Sequence, residues 1–378
     1  MISSAASIHS EMTFTQKLLM MNWLLIALIC CVAAVGCAAL YSAAGGNLDP
    51  WASRHLSRFI VGFIGMIIIA LIDIKWWYRL SWFFFGIGMV LLAIVEIKGH
   101  VGMGAQRWID LGFIKLQPSE VMKIAVVMAL ARYFHASTLE DMRRIRFMII
   151  PAMIIVAPVA LVLLQPDLGT SLMITMAGVS MFFMAGASIW LFIAGAVIVC
   201  ASIPLAWQFF LHDYQKARVM TFLDPESDPL GAGYHITQSK IALGSGGVEG
   251  KGFLQGTQSN LNFLPEKQTD FIFTLWAEEW GLFGGLALLL LFGLIFIYGI
   301  WIAVRARQNY SRFLVLGLMV NFSLYVFINI AMVMGLIPVV GAPLPLISYG
   351  GTSMLSAMIG FGLIMSASIH RDHKVTRL

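Results

Sequence analysis

The chain has 378 residues, of which 60% are hydrophobic and 11% charged, against roughly 25% charged in soluble domains. Such a composition excludes a soluble globular enzyme and a disordered chain. The formal net charge of +5 lies mostly in short connecting segments, where it is a topology signal and gives no support for nucleic-acid binding.

Long unbroken apolar runs, in place of short alternating ones, predict an all-α integral membrane protein and argue against a closed barrel. The first run, MMNWLLIALICCVAAVGCAAL, has about the 20 residues a helix needs to span the bilayer. It is expected to be a transmembrane helix kept in the mature chain, because the residues before it are mixed polar and not signal-like. Further runs fall at roughly 59–73, 77–97, 119–134, 147–164, 168–185, 187–207, 271–304, 312–336 and 346–369, giving about ten transmembrane helices in one polytopic domain, 1–378. Cys30, Cys31, Cys37 and Cys200 all sit inside apolar runs, so neither a disulfide framework nor a zinc pattern is expected.

Alternate short connections collect Lys75 and Arg79; Arg132, Arg143, Arg144 and Arg146; Arg305, Arg307 and Arg312; and Arg371, Lys374 and Arg377. The others hold Arg54, Arg58, Lys98, Arg107 and Lys115. This asymmetry predicts that both termini are cytoplasmic. Residues 208–270 then form one long extracytoplasmic loop between spans seven and eight, and its apolar residues, among them Phe222, Leu223, Ile241, Leu243, Phe253, Leu261, Phe263 and Leu264, predict order against the membrane surface.

Several polar clusters share that outer side. In GHVGMGAQRWIDLGFIKLQPSEVMK, residues 99–123, Glu120 and Lys123 are spaced i, i+3 at the start of the fourth span, on one helix face. A charged pair at membrane depth marks a functional site or a structural pair that orients the helix. In QPDLGTS, residues 165–171, Asp167 is placed to cap the sixth helix. DPLGAGYHITQSKIALGSGGVEGKG, residues 228–252, is no phosphate loop: Ser245 stands where a Walker A motif needs its first glycine, and Gly252 where it needs Ser or Thr. It remains either a plain mobile loop or a glycine stretch that offers backbone N–H groups, Lys240 and Lys251 to an anionic headgroup.

In FLPEKQTDFIFTLWAEEWG, residues 263–281, Asp270 directly precedes an apolar run, as a helix cap or as a reactive carboxylate. Glu278 and Glu279 lie about 12 Å deeper and need a wet cavity, partners or neutralisation. In GLIPVVGAPLPLISYGGTSML, residues 335–355, Pro338, Pro343 and Pro345 predict irregular backbone at membrane depth, with Ser348, Tyr349, Thr352 and Ser353 lining a cavity or completing a re-entrant turn. HExxH, CxxC and a local Ser-His-Asp pattern are all missing from the sequence, which gives hydrolytic and metalloprotease readings little support.

GAQRWIDLG with QPSEVMK, then QPDLGTS, then GYHITQSKIALGSGG with GKGFLQGTQSNLNFLPEKQTDFIF and AEEWG, and finally VVGAPLPLISYGGTSM, together resemble the SEDS family of cell-wall polymerases over nearly the whole chain. The resemblance implies a peptidoglycan glycosyltransferase of cell elongation that polymerises lipid II at the outer face of the bacterial inner membrane, with inversion and release of undecaprenyl diphosphate. It implies an essential acid at Asp270, here the base that deprotonates the acceptor hydroxyl, and a polar cavity that includes Arg54, Arg107, Glu120 and Lys123. Arg107, Lys123 and Lys240, with a divalent cation (Mg or Mn) shared with the substrate, are the candidates for holding the diphosphate, and Ser348 and Tyr349 for lining the site. A class B penicillin-binding protein and the rod-complex (elongasome) proteins are the implied partners. Two positions depart from the family pattern: His55 follows Arg54 where glutamine or lysine is usual, and Lys267-Gln268 replaces Arg-His or Ala-His. A lipid II flippase and a non-catalytic scaffold are the competing readings; a flippase would distribute its charges toward both faces, whereas these clusters concentrate on one.

Overall fold

The computed structural model describes residues 12–98, 100–102, 105–110, 115–138, 140–211, 213–225, 232–260 and 266–371. Phe14–Leu19 (α1) is a short helix whose N-cap Thr13 forms a capping box with Gln16. Trp23–Ala43 (α2), Ala52–Leu71 (α3) and Ile74–Lys98 (α4) follow. A small antiparallel sheet of His100–Gly102 (β1), Ala105–Asp110 (β2) and Lys115–Leu116 (β3) then pairs in chain order, with Ile109 opposite Leu116. The rest of the chain is helical: Pro118–His135 (α5), Ile145–Leu164 (α6), Leu168–Met184 (α7), Ile189–Leu205 (α8), Asp213–Leu223 (α9), Ala232–Ser245 (α10), Thr257–Asn260 (α11), Ile272–Arg305 (α12), Asn309–Val333 (α13) and Gly351–Ile369 (α14).

Among the described residues eight helices are long and apolar enough to cross a membrane: α2, α3, α4, α6, α8, α12, α13 and α14. The remaining two expected runs are α7, which has 17 residues, and α5, which carries Glu120, Lys123 and Arg132. α5 is packed inside the bundle, where neighbouring helices shield polar groups that lipid would not accept, while α7 buries one face against α5, α6 and α13 and leaves Leu172, Val179 and Phe183 exposed. α5 is buried on nearly every face and packs on α4, α13, α7 and α6, so it forms the centre of the bundle with α13. α8 has no buried residue and lies at the periphery.

Helix crossings rely on small residues, since lipid gives no hydrophobic drive for association and close backbone approach must supply contact. α3 meets α14 at Gly362, where an added Cβ would sit 2.8 Å from Ile69 and 2.9 Å from the Met66 carbonyl. α13 meets α5 and α7 at Gly317, where it would sit 2.6 Å from both Val127 and Met181.

The interval 208–270 holds more regular structure than its glycine and proline content suggests. α9, α10 and α11 account for much of what is described there, and α10 is tied to the bundle by Ser239, whose hydroxyl pairs with Thr274 (2.8 Å) and donates to the Val333 carbonyl (2.8 Å). Leu261, Phe263, Leu264 and the start of the 228–252 motif lie outside the described residues.

Candidate active site

Asp270 ends a turn that runs straight into α12. The turn is fastened by the segment between α13 and α14. Ser348 Oγ donates to the Thr269 carbonyl (2.6 Å) while accepting from the Leu344 N–H (2.8 Å), and the Tyr349 N–H donates to the Gln268 carbonyl (2.8 Å). From near the C-terminal end of α13, the Asn329 amide donates to the carbonyls of Asp270 (2.9 Å) and Ala342 (2.7 Å). The main chain of Asp270 is therefore held from two elements, while its carboxylate accepts no hydrogen bond from any described residue.

The capping alternative is answered by the same geometry. α12 has Phe271 at its N-cap and no side-chain cap bond. Burial pushes the Asp270 carboxyl up to about 6, the negative charge of Glu266 adds to the rise, and the positive charge of Arg218 opposes it. Arg218, on α9, is exposed and also donates to the Val339 carbonyl (3.2 Å). A partly exposed carboxylate with a raised pKa and a cation nearby is suited to accept a proton near neutral pH.

The QPDLGT turn approaches the same segment. Gly169 is so close to residue 340 that an added Cβ would lie 2.4 Å from Val340 Cγ1, and at the next residue, Gly341, one would lie 3.6 Å from Asp270 Oδ2. Asp167 caps α7 through the Thr170 N–H (3.2 Å) and accepts from the Thr170 hydroxyl (2.9 Å). Arg107, on β2, reaches across to it, with Nε 3.6 Å from Asp167 Oδ2 and a guanidinium N–H donated to the Pro166 carbonyl (2.6 Å).

Beneath the 335–350 segment lies a small cavity of about 40 Å³, lined in part by Tyr325, Pro343, Pro345, Ser353 and Ser356. Two of these side chains bind Glu120. Tyr325 donates to its Oε1 (2.6 Å) and Ser356 to its Oε2 (3.0 Å). Lys123, only 1% exposed, donates to Glu120 Oε1 (2.7 Å) and stacks its ammonium over the Tyr325 ring at 4.1 Å. Every charge here has a partner, which is what burial at this depth demands.

Some sequence candidates fall differently from expectation. Lys123 is committed to the interior, where Glu120 and the Tyr325 ring hold its ammonium. Arg54 is exposed, with no side-chain partner among the described residues, whereas Arg58, one turn deeper on α3, lies 4.6 Å from the Tyr349 ring centroid. Lys240 is exposed on α10 and runs along Gly335. The glycine stretch presents no open cradle: the N–H groups of Lys251 and Gly252 are bound to the carbonyls of Glu278 (3.1 Å) and Glu279 (3.0 Å). Among the described residues no three His, Cys, Asp or Glu side chains gather.

The model of the cell cycle protein family FtsW/RodA/SpoVE matches residues 15–373. The chain belongs to this family. Over 332 residues, 88% of this chain and 89% of the relative, it is 46% identical to the peptidoglycan glycosyltransferase MrdB of Escherichia coli K12. It superimposes with a TM-score of 0.83 at 29% identity on a chain from a structure described as the structural coordination of polymerization and crosslinking by a peptidoglycan synthase complex, covering 94% of this chain and 99% of that one. The rod shape determining protein RodA of Thermus thermophilus shares the fold, with a TM-score of 0.71 at 24% identity, over 94% of this chain and 98% of that one. For this FtsW/RodA/SpoVE member, motifs far apart in sequence thus meet at the 335–350 segment, which carries Ser348 and Tyr349, fastens the turn before Asp270 and is approached by the QPDLGT turn at Gly169 and Val340. Sequence reasoning passed over Asn329, Arg58, Arg218 and Ser356. An amide in an apolar run was the available signal for Asn329.

Proposed function

We propose that this chain is a peptidoglycan glycosyltransferase that polymerises lipid II during cell elongation. The observation that carries the reading is the Asp270 carboxylate, left without a hydrogen-bond partner among the described residues while its backbone is fixed by Asn329 and the 340–350 segment. Its relatives' names and its membrane helices support placement in the bacterial inner membrane as a multi-pass protein. The charge asymmetry of the connections supports cytoplasmic termini and an extracytoplasmic site.

In this mechanism Asp270 takes the proton of the acceptor sugar hydroxyl as that oxygen attacks the donor anomeric carbon. The bond from that carbon to the diphosphate breaks, so undecaprenyl diphosphate leaves with inversion. A fixed backbone and an unencumbered carboxylate keep the base aimed without reorganisation. Arg58, Arg107, Arg218 and Lys240 supply positive charge at this end of the bundle for the departing diphosphate. A divalent cation is proposed only as an ion brought in on the substrate's diphosphate, whose charge it would partly neutralise.

Partnership with a class B penicillin-binding protein is supported by the likeness to a chain of a peptidoglycan synthase complex, and a place among the rod-complex (elongasome) proteins is part of the same proposal. The test is polymer synthesis by the purified chain with its penicillin-binding partner, lipid II and Mg or Mn, using the native chain and Asp270→Asn. Glycan polymer from the native chain alone is expected. Equal polymer from both would remove Asp270 as the base and favour a scaffold role, and translocation without polymer from either would favour a flippase.

A further inference from the structure

Glu278 and Glu279 are 0% and 2% exposed within the α12 span. At the residue that follows Trp280 the helix breaks: Gly281 has φ 63 and ψ −160, outside helical geometry and accessible to glycine at little cost. A break inside a membrane helix frees backbone groups that lipid cannot satisfy. Here the loop at 247–252 supplies partners. Leu282 N–H donates to the Gly247 carbonyl (3.0 Å) and Phe283 N–H to that of Val248 (3.3 Å), while Lys251 and Gly252 donate back to Glu278 (3.1 Å) and Glu279 (3.0 Å).

The side chains reinforce the interlock. Glu278 Oε1 accepts from Lys251 Nζ (2.8 Å), the Gln258 N–H (2.9 Å) and the Thr257 hydroxyl (3.2 Å). Glu279 Oε1 accepts from the Ser42 hydroxyl on α2 and from the Leu254 N–H (3.2 Å). The glycines are required for the fit, because an added Cβ at Gly250 would stand 2.1 Å from the Glu279 carbonyl oxygen and one at Gly246 2.3 Å from that of Ala277. The N-terminal piece of α12, residues 272–280, is thus fixed by a loop. Asp270 precedes that piece by two residues, with the N-cap Phe271 between.

We infer that Lys251 and Glu278 are positioning residues for the polymerase reaction: their pair locks the 247–258 loop into the broken α12 and so fixes the half-helix that presents Asp270. This rests on the polymerase reading above. Neither residue touches the reacting atoms. Loosening the lock should scatter the carboxylate and lower turnover, with little change in how substrate is held.

The experiment compares the native chain, Lys251→Met, Lys251→Arg, Glu278→Gln and the loop control Glu249→Gln, each with its penicillin-binding partner and lipid II. It records kcat, KM and backbone hydrogen exchange. Lys251→Met and Glu278→Gln are expected to lower kcat on the order of tenfold at near-constant KM and to speed exchange at 247–252 and 282–283, with α13 and α14 still protected. Lys251→Arg, which keeps a cationic donor, and Glu249→Gln, at an exposed residue, should stay close to native. Unchanged kcat in Lys251→Met and Glu278→Gln, a loss confined to KM, or exchange accelerated throughout the bundle would overturn the positioning role. An inactive native chain would instead overturn the polymerase reading beneath it.

Discussion

Asn329 joins Asp270 to Ala342: one side-chain amide near the C-terminal end of α13 donates to both main-chain carbonyls, at 2.9 and 2.7 Å. Asn329→Leu would leave two carbonyls unsatisfied in a buried place, at about 1–3 kcal/mol each. We expect a lower melting temperature and at least a tenfold loss of polymerisation, while Asn329→Gln retains part of both. Native activity in Asn329→Leu would show that the 340–350 segment holds Asp270 without it.

The raised pKa of Asp270 gives two pH effects. As a base it works ionised, so kcat should rise with pH through an apparent pKa near 6 and flatten above it. For stability the sign is opposite. The folded-state pKa lies above the usual value of 3.8, so the fold binds the proton more tightly than the unfolded chain and gains stability as pH falls from about 7 toward 4. Asp270→Asn should therefore be inactive yet more stable than the native chain at pH 7 to 8, with the advantage gone near pH 4. Thermal melts across that range would settle it, and a variant no more stable at pH 8 would contradict a desolvated carboxylate.

Glu120 and Lys123 test the interior network. Removing one partner of a buried pair costs about 3–5 kcal/mol, because the other charge is left without compensation. Glu120→Ala and Lys123→Met should each fold poorly or melt far lower. The double variant Glu120→Gln with Lys123→Met should recover much of the loss, since of Tyr325 and Ser356, which donate to the two native carboxylate oxygens, one hydroxyl can still donate to the amide carbonyl and the other can accept from the amide N–H. Additive losses in a double-mutant cycle of Glu120→Gln and Lys123→Met would show that the pair is not coupled.

What was legible in the sequence was chemistry carried by local spacing. The i, i+3 relation of Glu120 and Lys123 gave their pairing, Asp167 before Leu168 gave the cap of α7, and the charge before the apolar run pointed to Asp270. What was not legible came from contacts distant in sequence. Nothing local says that Gly247 and Val248 accept from the backbone of Leu282 and Phe283, so Glu278 and Glu279 looked like unexplained charges when they are the anchors of a loop. The glycine stretch leaves a mobile loop and an N–H-offering stretch equally open in sequence, because the acceptors of Lys251 and Gly252 are carbonyls of α12 far along the chain. Strands β1 to β3 were missed because two or three paired residues leave too little alternation to detect.

Arg58 and Arg54 are spaced i, i+4 on α3, and the family resemblance points to Arg54. The structure separates them by depth: the Arg58 guanidinium lies over Tyr349, and its Nε is 3.3 Å from where a Cβ on Gly351 would stand, at the start of α14. A cation over an aromatic face contributes about 0.5–2 kcal/mol, the larger value when water is excluded. Arg58→Ala should lower activity several-fold more than Arg54→Ala, and mostly through KM if its charge also meets the diphosphate. Arg58→Lys should fall between them, because a lysine keeps the charge but loses the planar stacking. Measured kcat and KM for the three variants provide the check. A larger loss in Arg54→Ala would return the role to the residue that the family pattern first suggested.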